Sequence, residues 1–88
     1  MNIEEANHII LKPYITEKTF ALVENESRIC FLVREEATKP KIVEAIKLLY
    51  KEDPIGLNVC RTVYGKKAFV KFQTVEKARD LATKIGML

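Results

Sequence analysis

The chain has 88 residues, 48% of them hydrophobic and 31% charged, with two cysteines, one histidine and a formal net charge of +3. A length and composition of this kind imply one domain over residues 1–88, and argue against both intrinsic disorder and a membrane span. No basic segment followed by a long apolar stretch opens the chain, so a cytoplasmic location is expected.

Residues 1–7 are polar and acidic and are expected to fray. His8-Ile9-Ile10-Leu11 is an apolar run compatible with a first strand that Pro13 ends. Thr16 fits a helix N-cap, with Glu17 at the positive end of the helix dipole and Ile15 placed to meet Phe20 as a hydrophobic staple. This helix is expected to run from Glu17 to about Val23. From Ser27 to Val33, Ile29, Phe31 and Val33 alternate with Arg28, Cys30 and Leu32, and both sets are apolar enough for a central strand.

Arg34-Glu35-Glu36 reads as a loop, and Thr38 as a second N-cap, with Pro40 tolerated in the first turn and Ala37 opposite Ile42. The helix that follows, to about Lys51, has a buried stripe of Ile42, Ala45, Ile46 and Leu49, broadened by Leu48 and Tyr50. Beyond Glu52-Asp53-Pro54, the residues Ile55, Leu57, Val59, Arg61 and Val63 recur at a period of two, as do Ala68, Val70 and Phe72. Tyr64-Gly65 between the two runs reads as a hairpin turn. Thr74 caps a last helix whose apolar face is Ala78, Leu81, Ala82 and Ile85, with Gly86 as its stop and Met87 and Leu88 folding back. The expected order is β-α-β-α-β-β-α, an α+β fold with a four-stranded, mainly antiparallel sheet covered by helices.

Charge is unevenly spread. Residues 1–30 carry five acids against three cations, whereas residues 54–75 carry Arg61, Lys66, Lys67 and Lys71 and no acid. If Ala68, Val70 and Phe72 face the core, Lys67, Phe69, Lys71 and Gln73 face away from it, a ring among ammonium groups. That chemistry suits RNA, because lysines neutralise phosphates and a ring stacks on a base; a solvated strand face is the plainer reading. Lys12, Lys18, Lys39 and Lys41, near the starts of the first two helices, would widen the basic surface.

Little points to catalysis or to a cofactor. The single histidine, His8, has no evident partner, the three glycines are scattered at a strand, a turn and a cap, and no metal-ligand spacing is present. Cys30 and Cys60 lie in strand-like segments without a C-x-x-C spacing and are expected to be buried small hydrophobes.

Read together, residues 11–19 (LKPYITEKT), Ala37-Thr38-Lys39, Leu57-Asn58-Val59 and residues 65–72 (GKKAFVKF) resemble the large-subunit ribosomal protein twenty-three family, in order and in spacing, from about Ile9 to Gly86. The resemblance implies a non-enzymatic protein that binds large-subunit rRNA at the rim of the polypeptide exit tunnel, beside ribosomal protein twenty-nine. Bacterial members insert a long basic loop between the last two strands, which this chain lacks. The short form resembles archaeal members, for which the signal recognition particle or other nascent-chain factors are the expected docking partners. By position, Glu17 matches a glutamate that the family offers to such factors. Where many members have Val-Asn-Thr, this chain has Leu57-Asn58-Val59.

Two other classes compete with this reading. Ala68-Phe69-Val70-Lys71-Phe72 fits the last five positions of the RNP1 pattern of RNA-recognition motifs, but the three positions before it do not fit, and only one helix follows. A small α+β scaffolding domain without nucleic acid is the third class.

Overall fold

In the computed structural model, which describes residues 1–63 and 65–86, the elements run α1 (Ile3–Ile9), β1 (Ile10–Pro13), α2 (Glu17–Glu26), β2 (Arg28–Val33), α3 (Lys39–Tyr50), β3 (Gly56–Thr62), β4 (Gly65–Lys71) and α4 (Val75–Lys84). The four strands form one sheet in the order β1-β2-β4-β3, and every neighbouring pair is antiparallel. This is the expected α+β fold with one helix added at the start.

The sheet separates two environments by the alternation of its side chains. Ile29, Phe31 and Val33 of β2 and Ala68 and Val70 of β4, with Phe72 just beyond, are buried in one cluster with Ala6 of α1, Val23 of α2, Ile42, Ala45 and Ile46 of α3, and Ala78, Leu81 and Ala82 of α4. All four helices therefore cover one face, and the residues of opposite parity lie on the other. Half-buried Leu57 and Val59 extend the core along β3, but Ile55 and Val63 do not join it, being 57% and 94% exposed. The register from Gly56↔Lys71 to Thr62↔Gly65 leaves both outside the paired strand.

Residues 3–9 form a helix rather than a frayed end. Asn2 caps it, its side chain accepting from the Glu5 amide at 2.8 Å, and the first strand begins at Ile10 instead of His8. A helix of seven residues would not persist alone, and packing against α3 supplies what its length cannot. The second helix runs three residues past Val23, to Glu26, and ends on Ser27 in the left-handed conformation. Thr38 stands at the N-cap of α3 without a side-chain cap bond. The expected Tyr64-Gly65 turn and the return of Met87 and Leu88 fall wholly or partly on Tyr64, Met87 and Leu88, which lie outside the described residues.

The start of α2 is tightly knit. Thr16 Oγ1 accepts from the Thr19 amide at 3.1 Å, Thr19 Oγ1 accepts from the Thr16 amide at 2.8 Å, and the Thr19 hydroxyl donates to the Tyr14 carbonyl at 2.9 Å. Thr19 is buried, so a Thr19→Val substitution leaves the Thr16 amide and the Tyr14 carbonyl without the hydroxyl they share and is expected to cost about 1–3 kcal/mol. Urea unfolding checks this, and a loss within about 0.5 kcal/mol, the range of a surface substitution, would contradict it.

Candidate nucleic-acid interface

The open face of the sheet follows from the register. Lys12 of β1 lies opposite Leu32, Leu32 opposite Lys67 and Lys67 opposite Cys60, forming one row across the four strands. The next row is Cys30, Phe69 and Asn58, and the next Arg28, Lys71 and Gly56. Tyr14, whose amide donates to the Cys30 carbonyl at 2.9 Å, joins this face, because Lys67 Nζ sits 3.8 Å from the centre of its ring. That cation–π contact fixes an ammonium group and an aromatic ring relative to each other.

Each member is placed by ordinary strand chemistry. Lys67, Phe69 and Lys71 point away from the core because Ala68 and Val70 point into it. Tyr14 is held at both backbone groups, its amide by β2 and its carbonyl by Thr19. Cys30 lies in the middle of the face yet is fully buried, and burial pushes its thiol up to about 11, partly offset by the nearby Lys67 charge. It is therefore an inert packing group at neutral pH. Cys60, on the edge strand, is exposed, contrary to the expectation that both cysteines are buried.

The electrostatics of the sheet are one-sided. Its strands contain Lys12, Arg28, Arg61, Lys66, Lys67 and Lys71 and no acidic residue; all twelve acids of the chain lie on helices and loops. Arg28 and Lys71 stand directly opposite each other, an arrangement of like charges that costs stability unless an anion neutralises it. Arg28 Nε is buried without a hydrogen-bond partner among the described residues. Half-buried Leu32 and Phe69 and the Tyr14 ring supply apolar area between the cations. Such a face can hold phosphates and stack bases together.

The residues expected to contact RNA are thus divided. Lys12, Lys67, Phe69 and Lys71 come together on the open face. Arg61 and Lys66 are opposite each other on the other face of the sheet, and Lys66 Nζ donates to the carbonyls of Ala37 at 2.7 Å and Glu35 at 3.2 Å, tying the hairpin to the loop before α3. Lys39 lies beside them, Lys41 lines a hollow with His8 and Glu4, and Lys18 is exposed on α2. Arg28 and Tyr14 join the open face without having been singled out from the sequence. Glu17 is exposed next to Ile15 and Phe20, which are 51% and 37% exposed and line a shallow hollow with it; the two apolar residues only partly shield each other.

Among the described residues there is no group of three or more His, Cys, Asp and Glu that could hold a metal, and no helix is long and apolar enough to cross a membrane.

Comparison with known proteins agrees with the geometry. A sequence model of the family described as Ribosomal protein L23 matches residues 8–84. The chain belongs to the ribosomal protein L23 family. It is 40% identical over 80 residues to large ribosomal subunit protein uL23 of Methanobrevibacter smithii, covering 90% of this chain and 93% of that protein. With uL23 of Methanococcus vannielii it shares 37% identity over 84 residues, covering 94% and 98%, and with that of Methanosphaera stadtmanae 35% over 80 residues, covering 90% and 93%. These relatives are archaeal, in keeping with the short hairpin. As a member of this L23 family, the chain is a structural component of the large ribosomal subunit, associated with rRNA, rather than an enzyme. The RNA-recognition-motif alternative also fails on topology, since the strand that completes the sheet beside β2 is β1, which precedes it, and α4 is the last element among the described residues.

Proposed function

We propose that the open sheet face is the surface by which this protein, as one domain on the cytoplasmic ribosome, binds large-subunit rRNA at the rim of the polypeptide exit tunnel. The observation that carries this reading is the segregation of charge: the strands hold no acid, and four of their six cations lie on the uncovered face with two aromatic rings and a leucine among them. Lys12, Arg28, Lys67 and Lys71 contact phosphates, and Phe69 and Tyr14 pack on sugar or base. Lys18, Lys39, Lys41, Arg61 and Lys66 lie off this face and contribute less. Binding of the free chain to large-subunit rRNA fragments tests the reading: tight, salt-dependent binding to one region is expected, and equal binding to any RNA of the same length would contradict it.

The helix-covered side is left for proteins, with ribosomal protein twenty-nine as the neighbour and the signal recognition particle or another nascent-chain factor as the visitor. Glu17 supports a docking role, because an exposed carboxylate beside exposed Ile15 and Phe20 offers a charged and an apolar contact together. A carboxylate in the first turn also stabilises α2 through the helix dipole, by about 0.3–1 kcal/mol. Glu17→Lys is therefore expected to weaken binding of a targeting factor to assembled subunits more than Glu17→Ala does, with a small drop in the melting temperature of the free protein. Unchanged factor affinity with lower stability would leave Glu17 with the helical role alone.

A further inference from the structure

The two edges of the sheet are unlike. β1 is four residues long, its register is broken between Ile10 and Lys12, and it ends on Pro13, all features that blunt an edge against further pairing. β3 has seven residues in unbroken register with β4, contains no proline, lysine or acid, and has no strand on its outer side among the described residues. Apart from the Arg61 side chain, nothing among the described residues guards its outward amides and carbonyls.

Beside that row, between β3 and α3, lies a groove of about 480 Å³ floored by Pro40, Val43 and Leu57, with Lys39 and Lys47 on its rim. Through Lys39 it continues into a hollow where Val59, Arg61 and Lys66 meet the loop before α3, whose Glu35 and Glu36 also line it, Glu36 being held by Arg34 at 3.2 Å. The cations differ in availability. Lys47 lies 3.7 Å from Asp53 and Lys66 is spent on backbone carbonyls, whereas neither Lys39 nor Arg61 has a carboxylate within ion-pair distance among the described residues. The one acid lining the groove, Glu44, is 3.8 Å from the terminal ammonium of Met1.

We propose that the free edge of β3 accepts an extended segment of a partner protein as a fifth, antiparallel strand, with apolar side chains over Leu57, Val43 and Pro40 and an acidic side chain between Lys39 and Arg61. An open strand edge selects an occupant with its own row of backbone donors and acceptors, and the apolar floor selects alternating apolar side chains. A nucleotide chain would use the two cations but neither the row nor the floor. This surface lies on the helix-covered side and along the edge away from the open face, and its Lys39 and Arg61 are only lesser contacts in the rRNA reading, so the two stand or fall separately.

The test uses the full chain, labelled with ¹⁵N, and the peptide acetyl-Thr-Glu-Thr-Val-Thr-Val-Thr-amide. Saturable amide shifts confined to β3 and α3 are expected. They should vanish with a copy of the peptide N-methylated at every second residue on the edge that faces β3, and Lys39→Glu and Arg61→Glu should each weaken binding by up to about fivefold, the range for exposed ion pairs. Absent shifts, equal binding of the N-methylated copy, shifts on the open face, or preferential occupation of the same β3 and α3 residues by an rRNA fragment would overturn the proposal.

Discussion

Phe31→Ala is expected to remove most of the stability of this protein. The ring is fully buried on the central strand β2 and stacks on Tyr50 of α3 with centroids 5.6 Å apart and planes at 22°. Truncating a buried Phe costs about 3–5 kcal/mol through lost transfer energy and the cavity left behind, and a stacked aromatic pair adds about 0.5–1.5 kcal/mol. At about 0.05–0.15 kcal/mol per residue, a chain of this length has only about 4–13 kcal/mol in all. The variant should be largely unfolded in mild urea and should lose rRNA binding with the fold, since Cys30 and Leu32 beside it are part of the open face. Phe31→Leu keeps most of the volume and is expected to cost less than half as much. A Phe31→Ala loss below about 1.5 kcal/mol, the cost of a volume-conserving swap, would mean that the core is not packed around this ring.

The second large effect is on RNA affinity. Replacing Lys67 and Lys71 together by Ala removes two phosphate contacts, so the slope of log affinity against log salt should fall in magnitude by about 1.4–1.8, at about 0.7–0.9 per contact. Adding Phe69→Ala removes a stacking ring worth about 1–3 kcal/mol per base, and that loss should be nearly independent of salt. Lys71 is exposed and Phe69 half-buried, so folding should survive. Lys67 also loses its contact with Tyr14, for which Lys67→Arg is the control that keeps a cation over the ring. The matched pair Lys39→Ala with Arg61→Ala, on the helix-covered side, is expected to leave the slope nearly unchanged. An equal fall from both pairs would mean that RNA does not distinguish the two sides.

The parity of the strands and the caps at Thr16 and Thr74 were legible in the sequence, because they depend on neighbours a few residues apart. So were the sides of Ala68, Val70 and Phe72. The grouping of Arg61 and Lys66 with Lys67 was a count over a hairpin, and a count ignores that adjacent strand residues face opposite ways. Arg28 escaped notice because what gives it meaning is its position opposite Lys71, forty-three residues later, a non-local pairing that local pattern does not encode. Tyr14 lies past the proline that closes β1 and joins the open face through its bond to Cys30 and its contact with Lys67, neither of which is local in sequence. For α1 a signal was present: Asn2 followed by Glu5 is the spacing of a capping box, but a seven-residue helix with only Ala6 buried shows no apolar stripe. The exposure of Cys60 follows from its place on the open face of an edge strand, and so from a sheet order that the sequence alone leaves undetermined.

In the assembled subunit, rRNA is expected to lie against the uncovered face of the sheet. Ultraviolet cross-linking of intact large subunits, followed by mass spectrometry of the nucleotide-bearing peptides of this protein, tests it at the level of single residues. Cross-links are expected at Tyr14 and Phe69, with Lys12, Lys67 and Lys71 protected from acylation in the subunit and reactive in the free chain. Cross-links confined to α3 and α4, with those lysines equally reactive in both states, would contradict it.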